Sequence, residues 1–301
     1  MDAAKLGYGT CSERFGDPYA AERAFWDFID ERQRIWKRRQ DGCLPPWTED
    51  PILQKYHFCN VYRELDRGTI WYRENVVPTA ADFPDLLWRT IVYRLVNNVK
   101  IFELVPPAPR ECWQAMVGQM RELGIKPYTP AHTTFSWAGE PHTRLERFAL
   151  VLERLDTSFL TLAEAIETAE SLEYVSLVLK GQFGIGPFLS LQIFRDLILA
   201  RAIPFNDNDW TEIGPGCAWT LKEVFGQQRP SSWRPAVHML AYRAEEALRE
   251  RGTPLLRGEP PSLNDVEHCL CELGKYVKFS QGRGRRRIYR YGGNIPSTQP
   301  A

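Results

Sequence analysis

Between Ser171 and Trp210 the chain reads SLEYVSLVLKGQFGIGPFLSLQIFRDLILARAIPFNDNDW, residue types and spacings suited to gripping a phosphate. Two helical runs, Leu172 to Lys180 and Pro187 to Leu199, are joined by the short loop Gly181-Gln182-Phe183-Gly184-Ile185-Gly186. Gly184 and Gly186 let the backbone approach an anion closely, and Pro187 sits where a helix start has no use for an N–H. The free amides of that start favour negative charge. Ile185 would plug the hairpin into a core, and Lys180 adds a cation before the loop. Such a grip holds backbone and reads no sequence. Gly and Pro also punctuate ordinary turns, so a bare GxG carries either reading. The context here is fuller: a Lys before the loop, an apolar residue between the glycines, a long apolar helix after them, and an acidic cluster, Asp207 and Asp209, beyond it.

The combination resembles the helix-hairpin-helix DNA glycosylases, in which the second hairpin helix leads to a loop bearing the catalytic aspartate. The resemblance implies Asp209 in that role, in register with Pro204, with Asp207 as the alternative. Bifunctional members carry a lysine two residues beyond the second glycine. Phe188 stands there in this chain, so a Schiff-base lyase step is not expected. Nor is an iron–sulfur cluster, since the C-terminal part offers Cys269 and Cys271 alone.

The elements that must position these residues all read as helices. Ala21 to Arg39 places Phe25, Phe28, Ile29 and Trp36 at helical spacing above a charged face. The segment 57–75 reads as a helix with Arg63, Arg67 and Arg73 among Tyr62, Trp71 and Tyr72, which suits phosphate recognition. Pairing of those arginines with Glu64 and Asp66 is the other reading. Leu86 to Val105 reads as one apolar helix in which Arg94 lies at the edge of the buried face and needs a carboxylate or a phosphate. Further helices are expected over Glu111 to Leu123, Leu145 to Leu155, Thr161 to Ala169, Cys217 to Phe225 and Trp233 to Arg251. A last one, capped by Asn264, turns Val266, Leu270, Leu273 and Val277 to one side. Gly214-Pro215-Gly216 offers a second set of amides for an anion, or a plain turn. Residues 1–19 read as a flexible arm. Residues 20–280 read as a helical domain with lobes of roughly 20–125 and 143–280. The basic tail of 281–301 carries Arg283, Arg285, Arg286, Arg287 and Arg290. His132 and His142, in the connection between the lobes, have no partner at metal spacing.

Composition narrows the function classes. Lysine plus arginine and aspartate plus glutamate balance at 38 each, so binding to DNA would depend on a local basic stripe. The seven cysteines form no CxxC pair, which suggests neither a disulfide framework nor a zinc site. No apolar run reaches the ~20 residues of a membrane span and the start lacks a signal peptide, so a cytoplasmic protein is expected, in the host cytoplasm if viral. GxxxxGK[ST], HExxH, GxSxG and the Rossmann fingerprint do not occur.

Four blocks narrow the resemblance: FCNVYRELDR (58–67), YRLVNN (93–98), GIGPFLSLQIFRDL with FNDNDWTEIGPG (184–197, 205–216) and DVEHCLCELGKY (265–276). The chain resembles the alpha-glutamyl/putrescinyl thymine pyrophosphorylases, or amino acid:DNA transferases, of phage thymidine hypermodification, to which the helical domain of the 5-hydroxymethyluracil (5-hmdU) DNA kinases is related. The resemblance implies an all-α, glycosylase-like fold with two helical lobes around a cleft. It implies double-stranded DNA carrying 5-hydroxymethyluracil-derived bases as substrate, and an enzyme that displaces (pyro)phosphate from the exocyclic methylene with an amino acid or a polyamine. A 5-hmdU DNA kinase is an implied partner. No cofactor and no metal are implied. Asp209 or Asp207 would then handle the amine or the developing charge, and Lys180, Gly184, Gly186, Gly214 and Gly216 would hold DNA phosphates. Arg63, Arg67, Arg94, Glu267, Glu272, Lys275 and Tyr276 would receive the leaving group or the substrate. The competing readings are a monofunctional glycosylase and a non-catalytic DNA-binding module beside the kinase.

Overall fold

A computed structural model describes residues 18–127 and 143–283 of the chain. The expected arm up to residue 17, His132, His142 and the tail arginines 285, 286, 287 and 290 lie outside those residues. Every regular element described is helical: α1 Pro18–Gln40, α2 Pro51–Lys55, α3 Arg67–Asn75, α4 Phe83–Val96, α5 Val99–Phe102, α6 Trp113–Glu122, α7 Arg144–Glu167, α8 Leu172–Lys180, α9 Pro187–Leu199, α10 Pro215–Glu223, α11 Trp233–Glu250 and α12 Leu263–Ser280. No helix among them is long and apolar enough to cross a membrane.

The described residues divide into two compact units, one of 62–127, 143–215 and 262–267, the other of 18–61, 216–261 and 268–283. This differs from the expected lobes of 20–125 and 143–280, because each unit is assembled from separated stretches of sequence. Helix α12 begins in the first unit named and continues in the second.

In the unit of 62–215, α4 is the central helix and α7 and α9 both pack on it. Trp88, Tyr93, Phe102, Phe148, Phe159 and Phe194 are sealed in its core. The single helix expected over 86–105 is two, because Asn97 takes a left-handed conformation (φ 45°) that stops α4. Conversely, the two helices expected over 145–169 are one. Thr143 and Glu146 form a reciprocal capping box at its start. Its buried stripe of Leu152, Leu155, Phe159, Leu162 and Ile166 then keeps spacings of three and four straight through the expected break. The helix expected over 57–75 shrinks to α3. Upstream, the Cys59 amide is drawn to Glu272 and the Arg63 amide to Asp265, so those N–H groups leave the helical ladder. The cap of α12 is Ser262, whose hydroxyl accepts the Asp265 amide proton at 3.1 Å while Asp265 Oδ2 accepts that of Ser262 at 3.2 Å. Asn264, the expected cap, instead donates to Asp207 and to the Trp210 carbonyl.

Helices α8 and α9 pack on one another and α8 packs on α7. Gly184 in the joining loop has φ +83°, and a Cβ there would lie 2.8 Å from Val151 Cγ2. Gly184→Ala therefore meets both a backbone penalty and a clash. We expect it to destabilise the protein by about 2–4 kcal/mol, read as a lower urea midpoint at unchanged slope.

The other unit is built on aromatic packing. Phe28 and Tyr276 rings lie 5.4 Å apart, Tyr56 and Phe279 4.4 Å, and Phe58 meets Phe28, Tyr276 and Phe279. Here Phe25, Phe28 and Ile29 are buried as their spacing predicts, whereas Trp36 is only half-buried. Gly216 on α10 and Gly274 on α12 let two helices touch. A Cβ on Gly216 would fall 2.2 Å from Cys271 Sγ, and one on Gly274 2.2 Å from Thr220 Oγ1. Gly216 thus has a packing reason of its own, separate from the expected anion contact.

Candidate functional site

Two groups of charged side chains lie within the unit of 62–215. The first is a buried chain of arginines and aspartates. Arg94, from α4, and Arg63, from the turn before α3, share one carboxylate, Asp196 in the last turn of α9. Arg94 Nη2 donates to Asp196 Oδ1 at 2.6 Å and Nε donates to Oδ2, while Arg63 Nη2 reaches Oδ1 at 3.1 Å. Arg63 Nη1 also donates to the Gln192 side chain. One residue before Asp196, Arg195 makes a bidentate pair with Asp207 at 2.6 and 3.2 Å and donates to Asp265 at 2.6 Å.

Three guanidiniums and three carboxylates close this network. Burial lowers the affinity of Arg94 and Arg195 for their protons, but the facing carboxylates raise it further, so both stay above the ordinary arginine value. Burial would raise the Asp265 carboxyl, yet Arg195 holds it below the usual range. Arg63 has the smaller share of Asp196, and burial together with the Arg94 charge lowers it to about 10.

Burial of Arg94 with a carboxylate partner is what its place at the edge of the helix face demands. Arg63 and Arg94 are each about 4% exposed and are held by protein carboxylates, whereas Arg67 opens α3 and is exposed. Of the two expected catalytic aspartates, Asp207 belongs to the network and also accepts from Ser262 and Asn264. Exposed Asp209 closes its own turn, accepting the Asn206 amide proton at 2.8 Å and the Asn206 side-chain amide at 2.5 Å.

The second group gathers at the start of α9. Gly186 is exposed, has no side chain near the place of a Cβ, and begins the helix without a side-chain cap. Lys180, at the end of α8, lies 2.5 Å from Glu212 Oε2, and that oxygen also accepts from Ser176 Oγ at 2.9 Å. Ser176 Oγ in turn is 2.9 Å from Ser190 Oγ on α9. Lys180 therefore holds a protein carboxylate.

The Gly214 amide is likewise taken, by Glu267 Oε1 at 2.9 Å, the one hydrogen bond of that carboxyl among the described residues. A Cβ on Gly214 would lie 3.1 Å from Glu267 Oε1 and 3.8 Å from the Phe188 ring. Phe188, at the glycosylase lysine position, thus stands over the Gly214 turn. Burial pushes the Glu267 carboxyl up to about 7, and Glu212 adds to the push against the Gly214 N–H, Arg195 and Arg63. Two buried carboxylates, one paired with a cation and one near neutrality, are the arrangement by which proteins separate an acid from a base.

The remaining expected residues belong to the other unit. Glu272 accepts the Cys59 amide proton at 2.9 Å and pairs with Lys275 at 3.1 Å. Burial would raise this carboxyl, but Lys275, His268, Arg32 and the Cys59 N–H bring it down to about 2. The Lys275 ammonium also lies 4.7 Å from the centre of the Phe58 ring, and Tyr276 donates to Asp50 at 2.6 Å.

Sequence reasoning did not single out Arg195, Asp196, Glu212 or Asp265. A signal for the first two was present: an Arg-Asp pair inside the otherwise apolar run PFLSLQIFRDLIL has to be paired if the helix is buried.

Comparisons with known proteins bear on the whole assembly. A family model described as "5-hmdU DNA kinase, helical domain" matches residues 20–285. A "5-hmdU DNA kinase" of Bacillus phage SP10 is 27% identical over 299 residues, covering 87% of this chain and 46% of the relative, so the chain spans about half the length of that protein. No solved structure matches.

Proposed function

Since the chain belongs to the family of 5-hmdU DNA kinase helical domains, we propose that it acts on 5-hydroxymethyluracil-derived bases in DNA, within thymidine hypermodification. In this reading it is a transferase. It replaces the (pyro)phosphate of a 5-(pyro)phosphomethyl-uracil base with the nitrogen of an amino acid or polyamine, and a 5-hmdU kinase activity, the one named for the phage relative, makes its substrate. The exocyclic methylene of a thymine-type base lies at the major-groove edge, and turning the base out would bring it into an enclosed site while the enzyme holds the backbone.

The observation that carries this reading is the start of α9, where exposed Gly186, without a side-chain cap, leads to Phe188 against the polar group of Lys180, Glu212, Gly214 and Glu267. Backbone grip and acid–base chemistry are both available there. Exposed Arg67 remains a candidate for the leaving phosphate, and Asp209 and Asp207 remain candidates for supporting charge at the methylene carbon. The same residues suit excision of a whole base by a glycosylase, and the two activities differ in what leaves.

The test is to incubate the protein with DNA containing 5-(pyrophosphomethyl)uracil and a mixture of amino acids and polyamines, then to weigh the digested nucleosides. We expect an aminated thymidine and one released pyrophosphate per product. Abasic sites would mean a glycosylase, and unchanged nucleosides with retained DNA a binding module.

A further inference from the structure

We propose that Glu267 is the proton acceptor of this transfer, and that Glu212, locked to Lys180, is the positioning residue that keeps it ready. The assignment rests on the transferase reading above and names the group that would do its proton transfer.

The geometry singles out Glu267 among the acidic residues of its unit. Asp196, Asp207 and Asp265 are each bonded to buried guanidiniums, which keep them ionised and make them poor proton acceptors. Glu212 is neutralised by Lys180 and Ser176. Asp209 is spent on its own turn. Of the buried carboxylates among these, Glu267 alone lacks an ion pair at bonding distance among the described residues, holding the Gly214 amide through Oε1. The Gly214 turn that it holds lies against the Phe188 ring, in the first turn of α9. The charges that face it are Glu212 from the loop before α10, Arg195 from α9 and Arg63 from the turn before α3. The like charge and burial favour the protonated form, so Glu267 can take a proton and return it near neutral pH.

The step balances. An ammonium donor, R–NH3+, gives one proton to the Glu267 carboxylate and becomes R–NH2. The nitrogen lone pair forms the C–N bond to the methylene carbon while the C–O bond to the (pyro)phosphate breaks, its electron pair leaving on the phosphate oxygen. The product is a secondary ammonium, and Glu267 returns its proton to the departing (pyro)phosphate or to water.

The experiment measures amine transfer by wild type, Glu267→Gln, Glu267→Asp and Glu212→Gln across pH, with the urea midpoint of each. Glu267→Gln is expected to lower kcat by about 10²–10⁴-fold while remaining folded. Glu267→Asp should recover part of the rate. The wild-type rate should rise through a limb near pH 7 that Glu267→Gln lacks and that Glu212→Gln moves to lower pH, since removing the Glu212 charge eases ionisation of Glu267. Carbon-13 titration of the carboxyls gives the same assignment without turnover: a carboxyl titrating near 7 in wild type should be missing from Glu267→Gln.

A Glu267→Gln enzyme within about threefold of wild type, or one that keeps the limb, overturns the assignment while leaving the transferase reading intact. So does an inactive Asp209→Asn beside an active Glu267→Gln. A wild-type protein that transfers no amine overturns both.

Discussion

Replacing Asp196 with Asn is expected to destabilise the protein by about 3–5 kcal/mol, a large part of the stability of an ordinary domain. The side chain keeps its size and one acceptor oxygen, so the loss comes from charge. Asp196 is fully buried and is the carboxylate partner of both Arg63 and Arg94. With Asn in its place, two sealed guanidiniums face each other across a neutral amide. Arg63, already lowered by burial and by Arg94, has no other carboxylate at ion-pair distance among the described residues. Urea unfolding of wild type and Asp196→Asn checks this, and a difference below about 1 kcal/mol would mean that the arginines find other acceptors.

Glu267→Gln should act in the opposite direction on stability. The carboxyl has a folded value of about 7 against an unfolded value of 4.5. A raised value means that the folded form binds the proton more tightly. The contribution of this group is therefore complete below the unfolded value and is lost as pH rises through the folded one. Above pH 7 the ionised, buried Glu267 opposes folding by about 3 kcal/mol. Gln resembles the protonated acid, so the variant should match wild type near pH 4 and exceed it at pH 8. Unfolding curves at the two pH values check this, and a difference that does not change with pH would contradict it. A side chain whose removal stabilises the fold is one kept for another reason, which agrees with the assignment of Glu267 to chemistry.

Much of the helical content was legible because burial imposes a period. Phe25, Phe28 and Ile29 on α1, and Val266, Leu270, Leu273 and Val277 on α12, follow it and are buried. Boundaries were less legible, since they depend on single residues with competing uses. Asn97 stops α4 by a left-handed turn, and the amides of Cys59 and Arg63 are claimed by carboxylates more than 200 positions away, Glu272 and Asp265. The division into units escaped for the same reason, because contacts between distant stretches leave no local pattern.

In the candidate site, the Gly184 and Gly186 loop was readable from its glycines. The partners of the charged groups were not. Arg94 announced that it needed an anion, but nothing local said that Asp196 would supply it. Glu212 and Glu267 lie 55 positions apart, and only the fold makes them neighbours.

The order in which this chain leaves the ribosome matters for its folding. Residues up to 61 belong with 216–261 and those after 268, and residues 62–215 are completed by 262–267. While α4 and α9 can dock early, Arg195 and the Arg63 amide wait for Asp265, 70 and 202 positions further along the chain. Neither unit is whole before then, so domain-by-domain folding during synthesis is closed to this sequence. Nascent chains arrested before residue 262 should remain open to proteases and bound by chaperones, and the short stretch 262–267 decides when the unit of 62–215 is complete.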